Sequence, residues 1–506
     1  MPRPGITVTT SAAAVSATPG QRIATWFVAA QTERGPSVPD RPSPLRSLAD
    51  YTALYGTRNA TLGSVAQTYD MLDAFWRAGG GPVYIARVVG PAAATASKVL
   101  QDRAGPPVNT LRVSAKGPGA WANTALTVTV TNGTASNSYN IIILVGGVAA
   151  ETSPDLFTPT DAVTWSAASQ YVTITDLASA TAAPNNIPAV VATQAFTSGA
   201  DDLTSVTDTQ WTAALNTLPS TWGPGLVSKL GVTTAAGHAG TVAHAQANNR
   251  QAILDGPSGA SQATLTTLAS TVQSTADAAT AGSSAYAAVF GPWLKVPAYA
   301  GGPAPRLIPP SAVAAGLISR QVAGGPANVA AAGSPNGVAA WVLDVQTQFT
   351  DTERDALNGP APVNVFRQPY SSSLTPPVEL YGYNTLGAQA AGWRQMTAQL
   401  LRLRLTDELT LVGEQFEFDQ LDSRGQKLAE YGGALRGVCQ AHWDANELYG
   451  DTPDAAYNVD VSGSVNTPAT LANGEMHSRT SVRMSPMAEY VFEDVVKFPV
   501  TQSLTA

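Results

Sequence analysis

The hydrophobic positions of this chain predict an alternation of buried strands and amphipathic helices. Residues 24–30 (ATWFVAA) form a short apolar run typical of a strand buried on both faces. Residues 64–78 repeat apolar side chains at helical spacing, and residues 82–89 (PVYIARVV) form a second strand-like run. The same order returns beyond residue 196, with helices expected at 208–218, 241–249 and 262–274 and strands at 227–232, 251–255 and 284–290. This alternation predicts a largely parallel sheet with helices on its faces.

Residues 98–195 have a different pattern. Charged residues become sparse, and short strand-like segments are separated by the turn signals Asn132-Gly133 and Gly146-Gly147. Strands are expected at 111–115, 125–131, 139–145 and 171–176. The stretch therefore predicts a small β-domain inserted into the α/β domain. Its aromatic residues are expected to pack its core, although stacking platforms for a carbohydrate remain an alternative role for Trp121, Tyr139, Trp165 and Tyr171.

The C-terminal part returns to long helices and ends in strands. Helices are expected at 393–414 and 425–445, and strands at 457–461, 478–484 and 489–500. The last strand has no later partner in the chain. An open strand edge must be covered, charged or paired, so we expect it to pair with a neighbouring copy by strand addition.

The first 22 residues predict an extended arm. Pro2, Pro4 and Pro19 disfavour a helix, whereas Ile6 and Val8 alternate with threonines as in a short strand. This strand pattern suggests that the arm docks on another surface.

Composition and charge exclude several classes of function. The formal net charge is −8 and no basic run exists, so binding of nucleic acid through its phosphates is not expected. The single cysteine, Cys439, excludes a disulfide framework and is expected to be a small core residue of a helix. No run of 18 apolar residues and no signal peptide is recognised, so we expect a chain that is made and assembled in a cytoplasm.

No catalytic or metal-binding constellation stands out. Asp344, Asp351 and Glu353 could in principle form the carboxylate pair of a glycosidase. However, Asp351 and Glu353 lie in a segment that is more typical of a capped helix start. The glycine runs at 79–81 and 324–325 lack the Lys-Ser/Thr ending of a phosphate loop. The histidines are not at metal-ligand spacing: His238, His244, His442 and His477. The sequence therefore predicts a protein that is not an enzyme and requires no metal or cofactor.

Several segments, taken together and in order, resemble the sheath proteins of contractile tails, which form the outer tube of contractile phage tails and related injection particles. They are PGITV (4–8), ERGP (33–36), SLADYTALYG (47–56), DMLDAFWRAGGGPVYIARVV (70–89), KGPGAWAN (116–123), RQAILDGP (250–257), SAYAAVFGPWLKV (284–296), IPPSAVAAGLISR (308–320), GGPANV (324–329), ALNGPAPVNVFRQ (356–368) and VELYGYNTL (378–386). Their order from residue 4 to residue 386, rather than any single motif, carries the resemblance.

The resemblance implies an α+β and α/β multidomain fold. The expected parts are an N-terminal arm (1–22), a discontinuous middle α/β domain (23–97 plus 196–365), an inserted β-domain (98–195), a C-terminal α+β sheath domain (366–496) and a C-terminal arm (497–506). In the family the two arms lend strands to the C-terminal domains of neighbours. Residues 116–123 would form the loop that precedes a β-strand in the small β-domain of the family.

The implied function is that of a structural subunit. Copies would polymerise around an inner tube, in stacked hexameric rings, and contract to drive the tube through a target cell envelope. The expected partners are further copies, the inner tail tube protein, and the baseplate and tail-terminator proteins, without nucleic acid or membrane insertion. The particle would be a virion tail or an injection particle, assembled in the cytoplasm of the bacterial host.

The same resemblance suggests candidate interface residues. The strand-lending residues of the arms would be Ile6, Val8, Val495, Val496, Phe498 and Val500. The residues that would face the tube are Arg394, Arg402, Arg404, Lys427 and Arg436. The family usually carries a pair of arginines on the first C-terminal helix, whereas here the arginines are spread out, which loosens the assignment of tube contacts.

Two other functions remain as alternatives. One is a carbohydrate-binding or glycan-degrading protein of a phage or cell surface, and the other is a different structural protein of a phage tail or baseplate. The two-protein sheath of type VI secretion is less favoured, because both arms and both main domains occur here in one chain.

Overall fold

The computed structural model describes residues 23–36, 43–58, 64–298, 302, 304–369, 376–422 and 424–489. The strands, in chain order, are β1 (Trp26–Ala30), β2 (Val83–Arg87), β3 (Ser97–Gln101), β4 (Asn109–Ala115), β5 (Leu126–Asn132), β6 (Tyr139–Val145), β7 (Val148–Thr152), β8 (Val172–Asp176), β9 (Val191–Ala195), β10 (Gly225–Lys229), β11 (Arg250–Asp255), β12 (Ala287–Gly291), β13 (Leu294–Val296), β14 (Arg306–Ile308), β15 (Val338–Ala339), β16 (Asp344–Val345), β17 (Val363–Arg367), β18 (Val378–Tyr381), β19 (Tyr457–Asp460) and β20 (Arg479–Val482). The helices are α1 (Leu48–Tyr55), α2 (Ser64–Arg77), α3 (Trp121–Ala125), α4 (Pro159–Ser166), α5 (Asp208–Leu215), α6 (Ala235–Ala247), α7 (Gln262–Ala279), α8 (Ser311–Gly324), α9 (Asp351–Leu357), α10 (Met396–Glu414), α11 (Gln426–Asp444), α12 (Pro453–Ala456) and α13 (Pro468–Ala472).

An eight-stranded sheet lies at the centre of the fold, in the order β15-β18-β17-β12-β11-β10-β1-β2. Every pair from β2 to β17 is parallel, and β18 and β15 join antiparallel at one edge. The prediction of a largely parallel sheet is confirmed. Strands β1, β10, β11 and β12 are buried along their whole length because both faces of a parallel sheet are covered.

Alternate residues of β1 face two separate hydrophobic cores. Trp26 and Val28 pack with α2 and α8 on one face. Phe27 and Ala29 pack with α5, α6 and α7 on the other face. This division follows from the period of two in a strand, and it fixes the register of β1 in the sheet.

Helices α2 and α8 pack closely because α8 carries a glycine at their contact. A Cβ atom at Gly316 would lie 2.5 Å from the carbonyl oxygen of Phe75 and 2.6 Å from the Cβ of Ala78. Ser319, one turn further along α8, donates its hydroxyl to the carbonyl of Ala24 and accepts the N–H of Gly81. The helix pair is thereby joined to the chain that leads into β1 and β2.

Two boundaries in this region differ from the expected ones. Helix α6 begins at Ala235, six residues before the predicted start, with the Thr234 side chain accepting the N–H of Gly237 as its cap. The segment is rich in alanine and glycine and shows little apolar periodicity. The strand predicted at 284–290 begins with a 3₁₀ turn, and β12 starts only at Ala287.

The inserted segment forms two small antiparallel sheets around a third core. The sheets have the orders β3-β4-β8 and β7-β6-β5-β9. The four predicted strands are present, but the expected loop at 116–123 contains the start of α3, and α4 was not predicted. Helix α4 is short and begins with a capping box of Thr158 and Asp161, which is a local signal without apolar periodicity.

The ends of this insertion are bonded to each other. Ser97 and Thr197 exchange two backbone hydrogen bonds of 3.0 and 3.1 Å, and Ala94 and Ala200 exchange two more. Chain entry and chain exit therefore lie side by side.

The C-terminal helices belong to the same core as α2 and α8. Leu400 and Leu403 of α10 and Leu435 and Cys439 of α11 are buried in it. Cys439 is thus the small core residue that was expected, and burial raises the pKa of its thiol to about 11. The boundary predicted between residues 365 and 366 falls inside β17, which continues the sheet into β18. The domain limits as such remain a prediction. None of the described helices is long and apolar enough to cross a lipid bilayer.

Candidate inter-subunit surface

Strands β19 and β20 form a separate two-stranded antiparallel ladder in the C-terminal region. Arg483 donates its N–H to the carbonyl of Ala456, which makes residues 456 and 483 a hydrogen-bonded pair of the register. Hydrogen-bonded and non-hydrogen-bonded pairs alternate along such a ladder. The backbone groups of Tyr457 and Val459 therefore point away from β20, and those of Thr480 and Val482 point away from β19.

The outer edge of β19 is occupied. Arg436 of α11 donates from Nη2 to the carbonyl of Val459 at 3.1 Å, and the N–H of Tyr457 bonds to Pro453 in α12. The outer edge of β20 differs, because no strand of the described chain pairs with it. Thr480 and Val482 thus offer a short row of backbone donors and acceptors, which is the property that makes a strand edge a template for another chain.

The chain beyond β20 is held against α10. The side chain of Gln395, just before α10, makes two hydrogen bonds of 2.9 Å with the backbone N–H and carbonyl of Met487. The N–H of Ser485 bonds to the carbonyl of Glu447, and Met484 and Met487 pack on the large core. The predicted strand 478–484 is therefore present as β20. The predicted strand 489–500 lies outside the described residues after Glu489.

A buried charge cluster stabilises the helices beneath this ladder. His442 of α11 bonds through Nδ1 to Glu447 and through Nε2 to Glu408 of α10 at 2.8 Å. Arg404 pairs with both carboxylates, at 2.9 Å to Glu408 and 3.1 Å to Glu447. Glu447 also accepts the N–H of Ala327, 120 residues earlier in the chain. The cluster therefore joins α10, α11 and the segment after α8.

The pKa values in the cluster follow from these contacts. Burial alone disfavours the imidazolium of His442, but the hydrogen bonds and charges of Glu408 and Glu447 outweigh burial and raise its pKa. Burial would also raise the pKa of each carboxyl group, yet the bonds to His442 and Arg404 lower both. The arrangement is a set of ion pairs, with each polar group bonded to an opposite charge.

Two of the predicted tube-facing arginines make internal contacts. Arg394 donates to the backbone carbonyls of Asn358 and Gly359 at 2.7 and 2.9 Å. The guanidinium of Arg402 lies between the rings of Tyr286 and Trp393, 4.4 Å from each centroid, and its burial lowers the pKa of the group. Contact with a tube would require either arginine to exchange these partners.

The other three predicted tube-facing residues also have partners. Arg404 lies in the charge cluster, and Arg436 binds the outer edge of β19. Lys427 of α11 is half-buried, and its ammonium group lies 2.9 Å from Glu430 and 3.3 Å from Asp419. The role of all five residues at a tube remains a prediction.

The predicted arm residues lie outside the described part of the chain. These are Ile6 and Val8 at the N-terminus and Val495, Val496, Phe498 and Val500 at the C-terminus.

The candidate catalytic carboxylates are engaged in local structure. Glu353 accepts the N–H and hydroxyl of Thr350 in a capping box, which confirms the predicted helix start. Asp351 pairs with Arg354, and Asp344 pairs with Lys295 at 2.8 Å. Each of the three carboxylates is therefore bonded to a nearby side chain or backbone group, and none of these contacts pairs it with another of the three.

The remaining histidines are likewise dispersed. His238 bonds to the carbonyl of Asp255 and His244 to Arg250, and burial lowers the pKa of these two histidines to about 4 and about 3. His477 pairs with Glu475 on the surface. No group of three or more side chains suited to a metal ion occurs among the described residues.

The aromatic residues of the insertion pack its core, as was favoured. Tyr139 is completely buried and donates its hydroxyl to the carbonyl of Thr158. Trp121, Trp165 and Tyr171 are half-buried against the same core. Arg34 further covers Trp121 and Tyr171, with its guanidinium 5.3 and 5.6 Å from the two ring centroids.

No protein-family model and no curated protein matches the sequence. Solved structures do match the fold. A sheath tail protein of Listeria innocua is 11% identical with a TM-score of 0.58, and the match covers 91% of this chain and 94% of that one. The sheath complex of an extracellular contractile injection system, PVC, in its contracted state is 15% identical with a TM-score of 0.54, and the match covers 98% of both chains.

The chain has the fold of a contractile-tail sheath protein. A chain of the contracted anti-feeding prophage (AFP) baseplate matches this sheath fold equally well, with 15% identity, a TM-score of 0.58 and 98% of both chains covered. The fold class implied by the sequence motifs is therefore confirmed. Because the identities are low, the match concerns the path of the backbone.

Sequence reasoning missed the two features that shape this surface. The open edge of β20 depends on the hydrogen-bond parity of the ladder, which a strand pattern does not encode. The charge cluster joins Glu408 to His442, 34 residues apart, and Glu447 to Ala327. The only available sequence signal was the presence of charged residues on otherwise apolar helical faces.

Proposed function

We propose that this chain is the structural subunit of a contractile tail sheath and has no enzymatic role. The observation that supports this most strongly is the match over nearly the whole length of both chains to a sheath complex. The local hydrogen bonds and ion pairs of the candidate catalytic carboxylates are consistent with a structural role. Copies would surround an inner tube, and contraction would drive that tube through a target envelope as the subunits bury additional surface between them.

In this proposal the outer edge of β20 receives an arm of a neighbouring copy. The backbone groups of Thr480 and Val482 are directed away from β19 and can continue the ladder by strand addition. Each added hydrogen bond contributes about 1 kcal/mol net, and the same contact would recur at every subunit. The lending segments would be the arms 1–22 and 497–506.

The tube-facing surface is proposed to include Lys427. Its two partners, Asp419 and Glu430, are exposed carboxylates that a tube residue could replace at little cost. The inner tube, baseplate and tail-terminator proteins would be the heterologous partners, and assembly would take place in the cytoplasm of a bacterial host.

The test compares polymerisation of the full chain with that of variants at the open edge. Thr480→Pro removes the outward N–H of β20, whereas Thr480→Ala keeps it and serves as the matched control. We expect negative-stain images of the wild type and of Thr480→Ala to show tubes, and those of Thr480→Pro to show only single subunits with unchanged helix content by circular dichroism. Truncation of residues 1–22 is expected to act like the proline.

A wild-type protein that remains monomeric at all concentrations, alone and with its tube protein, would refute the proposed function. Normal tubes from both Thr480→Pro and the truncation would refute strand addition at this edge.

A further inference from the structure

The connection between α10 and α11 presents an isolated aromatic side chain to solvent. Phe418 is fully exposed, with a relative exposure of 102%, and its backbone has a φ of +66°. A left-handed backbone is unfavourable for a residue with a large side chain. Such a conformation persists only where the surrounding structure imposes it.

Contacts on both sides of Phe418 impose that conformation. The ring of Phe416 packs edge-on against Tyr431 of α11 at 5.2 Å. The N–H of Asp419 closes a turn onto the carbonyl of Phe416, and the carboxylate of Asp419 pairs with Lys427 at 3.3 Å. The exposed ring is therefore presented by a fixed turn, which reduces the entropy that a partner would have to remove.

A hydrophobic pocket lies close by and is not filled by this ring. It has a volume of about 350 Å³ and lies between the start of α11 and α13. Its apolar lining residues are Leu421, Leu428, Pro468, Leu471 and Ala472. Because Phe418 is fully exposed, it makes no contact with the pocket of its own chain.

The pocket is lined by charges of both signs, Asp422 and Lys427, and one pair of exposed charges beside the two features is opposite. Glu417 is exposed next to Phe418, and Arg424 is exposed next to the pocket segment. Within the described chain, neither takes part in an ion pair. A neighbouring copy that placed its Phe418 in the pocket would thus bring Glu417 towards Arg424.

We propose that Phe418 of one copy inserts into the pocket formed by Leu421, Leu428 and Leu471 of a second copy. The contact rests on the proposed self-assembly and adds a side-chain anchor to it, separate from strand addition at β20. A desolvated aromatic in a pocket is the type of residue that dominates interface energy.

The experiment places a photo-crosslinker at the exposed ring. The variant Phe418→p-benzoylphenylalanine, in the full chain and without tube protein, is irradiated under assembly conditions, and the crosslinked peptides are identified by mass spectrometry. We expect covalent dimers whose second peptide contains residues 421–428 or 468–472. The same substitution at Phe157, a half-exposed phenylalanine of the insertion, is the control and is expected to give no crosslink to that pocket.

Two further variants measure the contribution of the contact. Phe418→Ala and Leu471→Asp are each expected to raise the critical concentration for tube formation at least tenfold, while Phe157→Ala leaves it unchanged. The melting temperature of the Phe418→Ala monomer should equal that of the wild type, because the ring has no contact within its own chain.

Crosslinks from position 418 to other surfaces, or tubes from Phe418→Ala at the wild-type critical concentration, would overturn this inference and leave the proposed sheath function intact. A wild-type chain that forms no tubes would overturn both.

Discussion

At the scale of single residues, the charge cluster around His442 determines how the C-terminal helices respond to pH. The raised pKa of His442 means that its stabilising contribution is complete below its ordinary pKa of about 6.5 and is lost as the pH rises through the folded-state value. The lowered pKa values of Glu408 and Glu447 have the opposite consequence. Their contribution is present above about pH 4.5 and is lost as the pH falls through the folded-state values. The cluster therefore stabilises the fold most between these limits.

The variant Glu447→Gln tests this behaviour. Its side chain is fully buried, so the loss of its charge should destabilise the protein by about 2–3 kcal/mol near pH 6. The difference from the wild type should shrink as the pH rises through the folded-state pKa of His442, because once the imidazole is neutral only the pairing with Arg404 is lost. Melting temperatures from pH 5 to 9 provide the measurement. Glu475→Gln, which removes the exposed partner of His477, is the control. A difference in melting temperature between Glu447→Gln and the wild type that does not vary with pH would contradict the role given to His442.

At the scale of secondary structure, the glycines of two helices have opposite roles. Gly316 of α8 is required by the close approach of α2, since an added Cβ would collide with backbone and Cβ atoms. Gly437 of α11 has no atom within 4 Å of the position of an added Cβ. A glycine without a packing role only increases the conformational freedom of the unfolded chain.

We therefore expect opposite effects from the same substitution. Gly316→Ala should lower the free energy of unfolding by about 1–3 kcal/mol because the helix pair must separate. Gly437→Ala should raise it by about 0.5–1 kcal/mol through helix propensity alone. Chemical denaturation of both variants measures the effects. Equal shifts in the same direction would show that helix contact does not distinguish the two positions.

Elements with strong periodicity could be predicted from the sequence, and those defined by tertiary contacts could not. Strand β1 and helices α2, α10 and α11 were evident from their apolar patterns, and their ends differ from the prediction by a few residues. The start of α6 was missed because alanine and glycine give no amphipathic signal. The partners of Arg402 and Arg436 could not be predicted either, because the position of a charged residue on a helix does not show whether it contacts a ring, a carbonyl group or solvent.

At the scale of the whole molecule, we expect the predicted insertion (98–195) to be separable from the central sheet. It has its own core, and Ser97 and Thr197 form a hydrogen-bonded pair at its base. Its links to the rest of the chain include Arg87 of β2, which donates to the carbonyl of Pro118, and Arg34, whose guanidinium covers Trp121 and Tyr171. Most of the stability of the sheet should therefore be independent of the insertion.

Deletion of the insertion tests this independence. Residues 98–196 are replaced by Asn-Gly, a two-residue turn that suits a hydrogen-bonded strand pair such as Ser97 and Thr197. The shortened chain should remain soluble, melt cooperatively and still form tubes, with a smaller outer diameter if the insertion faces outward. Calorimetry and negative-stain images provide the readouts. Aggregation or a non-cooperative transition would show that the predicted limits of the inserted domain are wrong.

The adjacent positions of Ser97 and Thr197 also offer a site for grafting. A fluorescent protein or an antigen whose own termini lie close together can replace the native segment without stretching the strands on either side. If the subunits polymerise as proposed, one graft per copy would be displayed at regular spacing along the particle, and its density would be set by the lattice rather than by chemical conjugation.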